Sequence, residues 1–137
     1  MNWKLIFGLS LFGLAMAFAT VFIISATLEP FFWLVIFIVV ALVIARSRPD
    51  RAFVHGLLVG IVNSVWITCA HIVLFDQYIA KHPKDAAMMK SMPMPVSPRV
   101  MMAVVGPIIG VITGAVIGVL AYLAVKLFKT RTSSASA

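Results

Sequence analysis

The sequence predicts an all-α membrane protein, a compact bundle of four transmembrane helices held by a glycine-rich helix–helix interface. Three observations carry this expectation. The 137 residues are 63% hydrophobic and only 11% charged, whereas soluble domains carry about 25% charged residues. The apolar residues are gathered into four long runs, close to the ~18 residues that read as a membrane-spanning helix, and mean hydropathy is +1.12. In the last run, Gly106, Gly110, Gly114 and Gly118 recur at every fourth position. Residues so spaced share a helix face, and a face without side chains lets another backbone approach closely. In lipid, helix association rests on such packing more than on hydrophobic burial.

The first span is expected over residues 3–28. Ala15-Met16-Ala17 and Ala17-Phe18-Ala19 resemble signal-peptidase sites. The apolar run continues past them to Leu28, so a retained helix is expected. Gly8, Gly13, Ala15, Ala17 and Ala19 supply a small packing face. Glu29-Pro30 marks a corner, and Pro30 suits a first helical position because its missing N–H has no partner there.

The second span, 30–46, has no polar side chain from Phe31 to Ala45. A helix apolar all round and rich in Phe, Val and Ile is expected to face lipid. Arg46, Arg48 and Arg51 then form a basic turn, with Asp50 as the expected N-cap of the third span, 51–75. Here Gly56, Gly60, Ser64 and Thr68 repeat at four-residue spacing, with Asn63 and His71 on the same broad face and Trp66 on its flank. This small, polar stripe is the expected partner of the glycine ridge. His55 falls at the boundary and reads as interfacial.

Residues 76–97 form the only substantial loop. A short amphipathic helix is expected from Pro83 to Met92, stopped by Pro93, with Met88, Met89 and Met92 on one side as a lid. Ser97 and Pro98 read as N-cap and first residue of the fourth span, 98–128. Pro107 removes one backbone bond inside that span and is expected to kink it. Residues 1–131 would form one transmembrane domain and 132–137 a disordered tail.

Charge distribution sets the orientation. Lys4, Arg46, Arg48, Arg51, Lys126, Lys129 and Arg131 place seven cations on one side; Lys81, Lys84, Lys90 and Arg99 place four on the other. The positive-inside tendency then puts both termini in the cytoplasm, in the inner membrane of a bacterial cell, with the Met/Pro loop outside. The net charge of +7 flanks apolar runs, so it speaks for lipid headgroups rather than nucleic acid. Cys69 is the only cysteine, which excludes an intramolecular disulfide.

The sequence contains no nucleophile–base set, paired carboxylates or phosphate-cradling loop, so no enzyme and no cofactor is expected. Charged residues within the spans sit only near their ends, as Lys4, Arg46, Arg51, Arg99 and Lys126 do, and the lack of membrane-embedded charge argues against an ion-coupled carrier. Asn63 requires a hydrogen-bond partner at its depth, and Thr113 or a carbonyl freed by Pro107 are the candidates. Asn63, Thr68, His71 and Thr113 are therefore either interhelical hydrogen-bonding groups or stations on a polar path. Met88, Met89, Met92 and Met94, with His82, offer soft ligands to Cu(I). Lys84 and Lys90 oppose a cation there, and Met is also an ordinary apolar face, so no metal is expected. Two function classes follow. One is a non-enzymatic accessory or interaction protein built on Gly-ridge packing, alone, as a homo-oligomer or with a partner membrane protein. The other is an oligomeric channel or transporter for an ion or small solute.

Overall fold

A computed structural model describes the backbone of residues 1–91 and 96–134, with side chains to Lys129. Six α-helices follow in order: α1 (Trp3–Phe22), α2 (Glu29–Ser47), α3 (Ala52–Val73), α4 (Phe75–Lys81), α5 (Pro83–Ser91) and α6 (Pro98–Ser134). Four stretches are long and apolar enough to cross a membrane: Trp3–Phe22, Glu29–Ser47, Pro49–Val73 and Pro98–Lys129.

The first helix is shorter than its apolar run. It ends at Phe22, where the N–H groups of Ile23 and Ile24 both reach the Ala19 carbonyl. Ile23, Ile24, Ser25 and Thr27 are β-branched or hydroxyl-bearing, types that favour a helix weakly, and the chain turns instead at Ser25–Leu28. Asn2 caps the start, accepting the Leu5 N–H at 3.2 Å. Asp50 does not cap α3. It lies in a 3₁₀ turn, Pro49–Arg51, beside the Arg51 guanidinium, and α3 starts without a side-chain cap. Proline at position 49 explains this, because it fixes the preceding backbone and tightens the turn.

Ser97 does cap α6, accepting the Val100 N–H at 3.4 Å. That helix runs through Pro107 unbroken and continues to Ser134, beyond the expected end near residue 128. The expected tail at 132–134 is therefore helical, and 135–137 lie outside the described residues.

Sequence neighbours are not space neighbours. α3 and α6 make the most extensive contact, α1 packs on α3, α2 packs on α6, and α1 and α2 barely touch. The α3–α6 seam is close. A methyl group placed on Gly56 would lie 2.5 Å from Gly118 Cα. One on Gly60 would fall on the Gly114 backbone, one on Gly110 on the Ser64 hydroxyl, and one on Gly106 on the Thr68 hydroxyl. Each step of four residues up α3 thus meets a step of four down α6, as two antiparallel helices require.

The apolar core gathers at the end that holds the amino-terminus of α1 and the carboxy-terminus of α6. There Ile6, Val40, Ala41, Ile44, Val59, Ile117 and Ala121 are buried together. His55, expected at the interface, is buried among them at 1% exposure. Its Nδ1–H donates to the Arg51 carbonyl at 2.9 Å, and its Nε2 accepts the Asn2 N–H at 3.3 Å. It fastens the start of α1 to the start of α3. On α2, only Val40, Ala41, Ile44 and Ala45 are buried, and its first half is not.

Candidate functional site: a cleft at the loop end

Because α2 is buried only along its second half, its first half stands apart from α6. Between them opens a cavity of about 810 Å³. Its floor is α3, through Asn63, Ser64, Ile67, Thr68 and His71. Trp33 and Phe37 of α2 form one wall, and Met101, Met102, Val105 and Ile109 of α6 the other. Tyr78, Asp85, Met88 and Met89, from α4 and α5, cover the mouth. Below Asn63 and Thr113 the Gly60–Gly114 approach and the core around Ile117 close the space, so the cleft is blind.

The mouth is a hydrogen-bonded and stacked chain of side chains. The rings of His71 and Tyr78 stack at 4.2 Å, and those of Tyr78 and His82 at 4.2 Å. Their spacing, seven and then four residues, is that of one helical face, and it is kept across the break at Leu74 between α3 and α4. Thr20 donates to the Ala17 carbonyl, so its oxygen receives the His71 Nε2–H at 3.4 Å. His82 donates Nδ1–H to the Tyr78 carbonyl at 3.0 Å and sets Nε2 3.3 Å from Glu29 Oε2. Trp33 donates to the other Glu29 oxygen at 3.1 Å. The Tyr78 hydroxyl donates to Asp85 Oδ2 at 2.6 Å. The chain ties α1, α2 and α3 to the cover above them.

Burial, and then the hydrogen bond to Asp85, hold the Tyr78 phenol above its ordinary range. A pKa raised in the folded state means that the phenol contributes stability below the ordinary tyrosine value of about 10, and that this is lost as pH rises beyond it. In a Tyr122→Phe variant, Tyr78 is therefore expected to stay un-ionised at pH ~11 by its 295 nm absorbance. Ionisation there with a normal midpoint would contradict the buried Tyr78–Asp85 bond.

Several sequence expectations come out differently in detail. Asn63 is 7% exposed, and its amide oxygen lies against the Gly13 position of α1, with no hydrogen bond to Thr113. Thr113 bonds its own helix instead, to the carbonyls of Ile109 at 2.9 Å and Gly110 at 3.3 Å. Ser64 likewise bonds the Ile61 carbonyl at 2.8 Å. Trp66 reaches across to Ser10 of α1 at 3.1 Å. His71 shares the cavity with two acids, Glu29 and Asp85. Of the copper candidates, Met88 and Met89 line the cavity, His82 is 3% exposed with both ring nitrogens engaged, and Met92 and Met94 lie outside the described residues.

Glu29, Trp33, Tyr78, Asp85, Met101 and Met102 were not singled out by sequence reasoning, because they come from a corner, a loop and two flanks; the seven-residue steps from His71 to Tyr78 to Asp85 are the signal that could have found two of them. Asp76, the acid nearest His71 in sequence, turns away and pairs with Arg99 at 3.6 Å. No protein-family model, curated protein or solved structure matches the chain.

Proposed function

We propose that this chain is a small, non-enzymatic polytopic membrane protein of the accessory or interaction type, whose working part is a cleft that holds a membrane-soluble guest. The glycine-rich α3–α6 seam is its rigid spine. In this reading both termini are cytoplasmic, and α4 and α5 cover the cleft on the outer face of the inner membrane. The observation that carries it is the uneven filling of the bundle. Close packing at one end and about 810 Å³ of space at the other fit a binding protein better than a purely structural one, because interiors otherwise pack to near-crystalline density.

Trp33 on the cleft wall gives the test. In a Trp3→Phe/Trp66→Phe background reconstituted in nanodiscs, 12-bromododecanol is expected to quench Trp33 saturably. Filling the cleft with Val105→Phe and Ile109→Phe should abolish the saturable part while circular dichroism is unchanged. Quenching that never saturates and ignores the filling would reduce the cleft to ordinary lipid-facing surface.

One observation favours the second reading, an oligomeric channel or transporter: Asn63, Ser64, Thr68, His71 and Thr113 all line the same cavity. Since the cleft is blind within one chain, that reading requires a path completed by further copies. Ion or solute flux from proteoliposomes, lost in Asn63→Ala with assembly intact, is its signature.

A further inference from the structure

We infer that the loop end of the cleft binds the protonated amino group of an aliphatic amine, with the alkyl chain lying along the apolar walls. This inference rests on the cleft being a binding site, and four observations carry it.

The first is charge. The chain has 11 Lys and Arg against 4 Asp and Glu. Even so, two of those acids, Glu29 and Asp85, line the cavity, and no Lys or Arg does. The other two acids, Asp50 and Asp76, lie outside it beside Arg51 and Arg99. A cavity that gathers acids in a basic protein selects for a cation.

The second is which acid has an oxygen to spare. Both Glu29 oxygens are engaged, Oε1 by the Trp33 N–H at 3.1 Å and Oε2 by His82 Nε2 at 3.3 Å. Asp85 has only the neutral Tyr78 phenol as partner among the described residues. Its carboxylate is therefore the group that calls for a cation.

The third is the kind of cation. Quaternary ammonium groups are held against open aromatic faces. The ring beside Asp85, that of Tyr78, is covered on both faces, by His71 and by His82, while the aromatic rings Trp33 and Phe37 belong to the α2 wall. What the mouth offers is acceptors: Asp85, and His71 Nδ1, which has no partner among the described residues once Nε2–H is given to Thr20. Acceptors select N–H donors.

The fourth is an unused amide deep in the cleft. Asn63 lines the cavity at 7% exposure and makes no hydrogen bond among the described residues. No fully enclosed side-chain polar atom lacks a partner among the described residues, so this amide keeps some open surface although its oxygen packs against Gly13 of α1. A buried amide left unpaired is unfavourable, and a guest with a second polar group on its chain would satisfy it. Since lipid solvates an alkyl chain as well as the cleft walls do, the chain supplies reach and the polar groups supply selectivity.

The experiment compares four probes with one chain, 12-bromododecylammonium, its N,N,N-trimethyl counterpart, 12-bromododecyl sulfate and 12-bromododecanol, by saturable Trp33 quenching in nanodiscs at neutral pH. The primary ammonium is expected to bind at least about ten-fold more tightly than the alcohol, as a charge-assisted hydrogen bond at a partly buried carboxylate implies. Asp85→Asn should bring it down to the alcohol and leave the alcohol unchanged. Asn63→Ala should weaken a probe with a hydroxyl on its chain and spare the plain one. Equal binding of all four probes would overturn the ammonium assignment while leaving the cleft reading standing, and equal binding of the trimethyl probe would overturn recognition through N–H. Absence of saturable quenching by every probe would overturn both readings.

Discussion

Gly60→Leu is expected to leave no folded bundle. A leucine side chain at this position would have to occupy the space of the Gly114 backbone, and backbone cannot rotate aside as a side chain can. Ordinary overpacking costs about 1–3 kcal/mol. Here two helices must separate along their whole shared seam, so a loss above about 4 kcal/mol is expected, in the range that marks a specific steric failure. An SDS unfolding titration in mixed micelles would show the variant unfolded from the start, or the protein would not be recovered as a single species on gel filtration. Gly8→Leu is the matched control. A methyl group there meets nothing within 4 Å, so the same change on an equally apolar helix should leave the transition in place. Equal damage from the two substitutions would mean that leucine harms these helices for reasons unrelated to the seam.

Ile44→Ala is expected to give the second largest loss, about 2–4 kcal/mol, as large-to-small changes at buried sites do. Ile44 is fully buried, within the cluster formed by Val40, Ala41, Ile117 and Ala121. Its removal leaves a void that lipid cannot reach. The loss is one of contacts rather than of transfer from water, since the alternative environment is itself apolar. Ile38, on the same helix and 45% exposed, should tolerate alanine with a change near zero by the same titration. A comparable loss at Ile38 would mean that its exposed face is covered in the assembled protein, and would redirect attention to an oligomer.

These two positions illustrate what a sequence of this composition reveals. The spans are legible because lipid imposes a simple rule on length and polarity, and no competing pattern interrupts it. The four-residue repeats at Gly56–Thr68 and Gly106–Gly118 are legible because one helical face recurs at that spacing. Ile44 and Ile38 are not distinguishable, because an all-apolar helix carries no period that marks its buried side. The end of α1 was hidden for the same reason: Ile23 and Ile24 extend the apolar run while their branched side chains and the following Ser25 favour leaving the helix. The site was legible only on its floor. Asn63, Thr68 and His71 stand out as polar groups on an apolar helix. Glu29 and His82 are 53 residues apart, and their meeting depends on where α2 parts from α6, which no local signal encodes.

The crossed order of the helices also governs how the protein is made. α1 and α2 are made before α3 and α6, yet α1 rests on α3 and α2 chiefly on α6. Inserted in a bilayer, the first two spans would have little contact with each other, and α2 would lack its main partner until α6 is made. During that interval each would be a largely lipid-solvated rod, exposed to proteases and to mispairing with other nascent spans. Contacts so distant in sequence form late, and the last glycine-bearing span to arrive gives the waiting pieces their common seat.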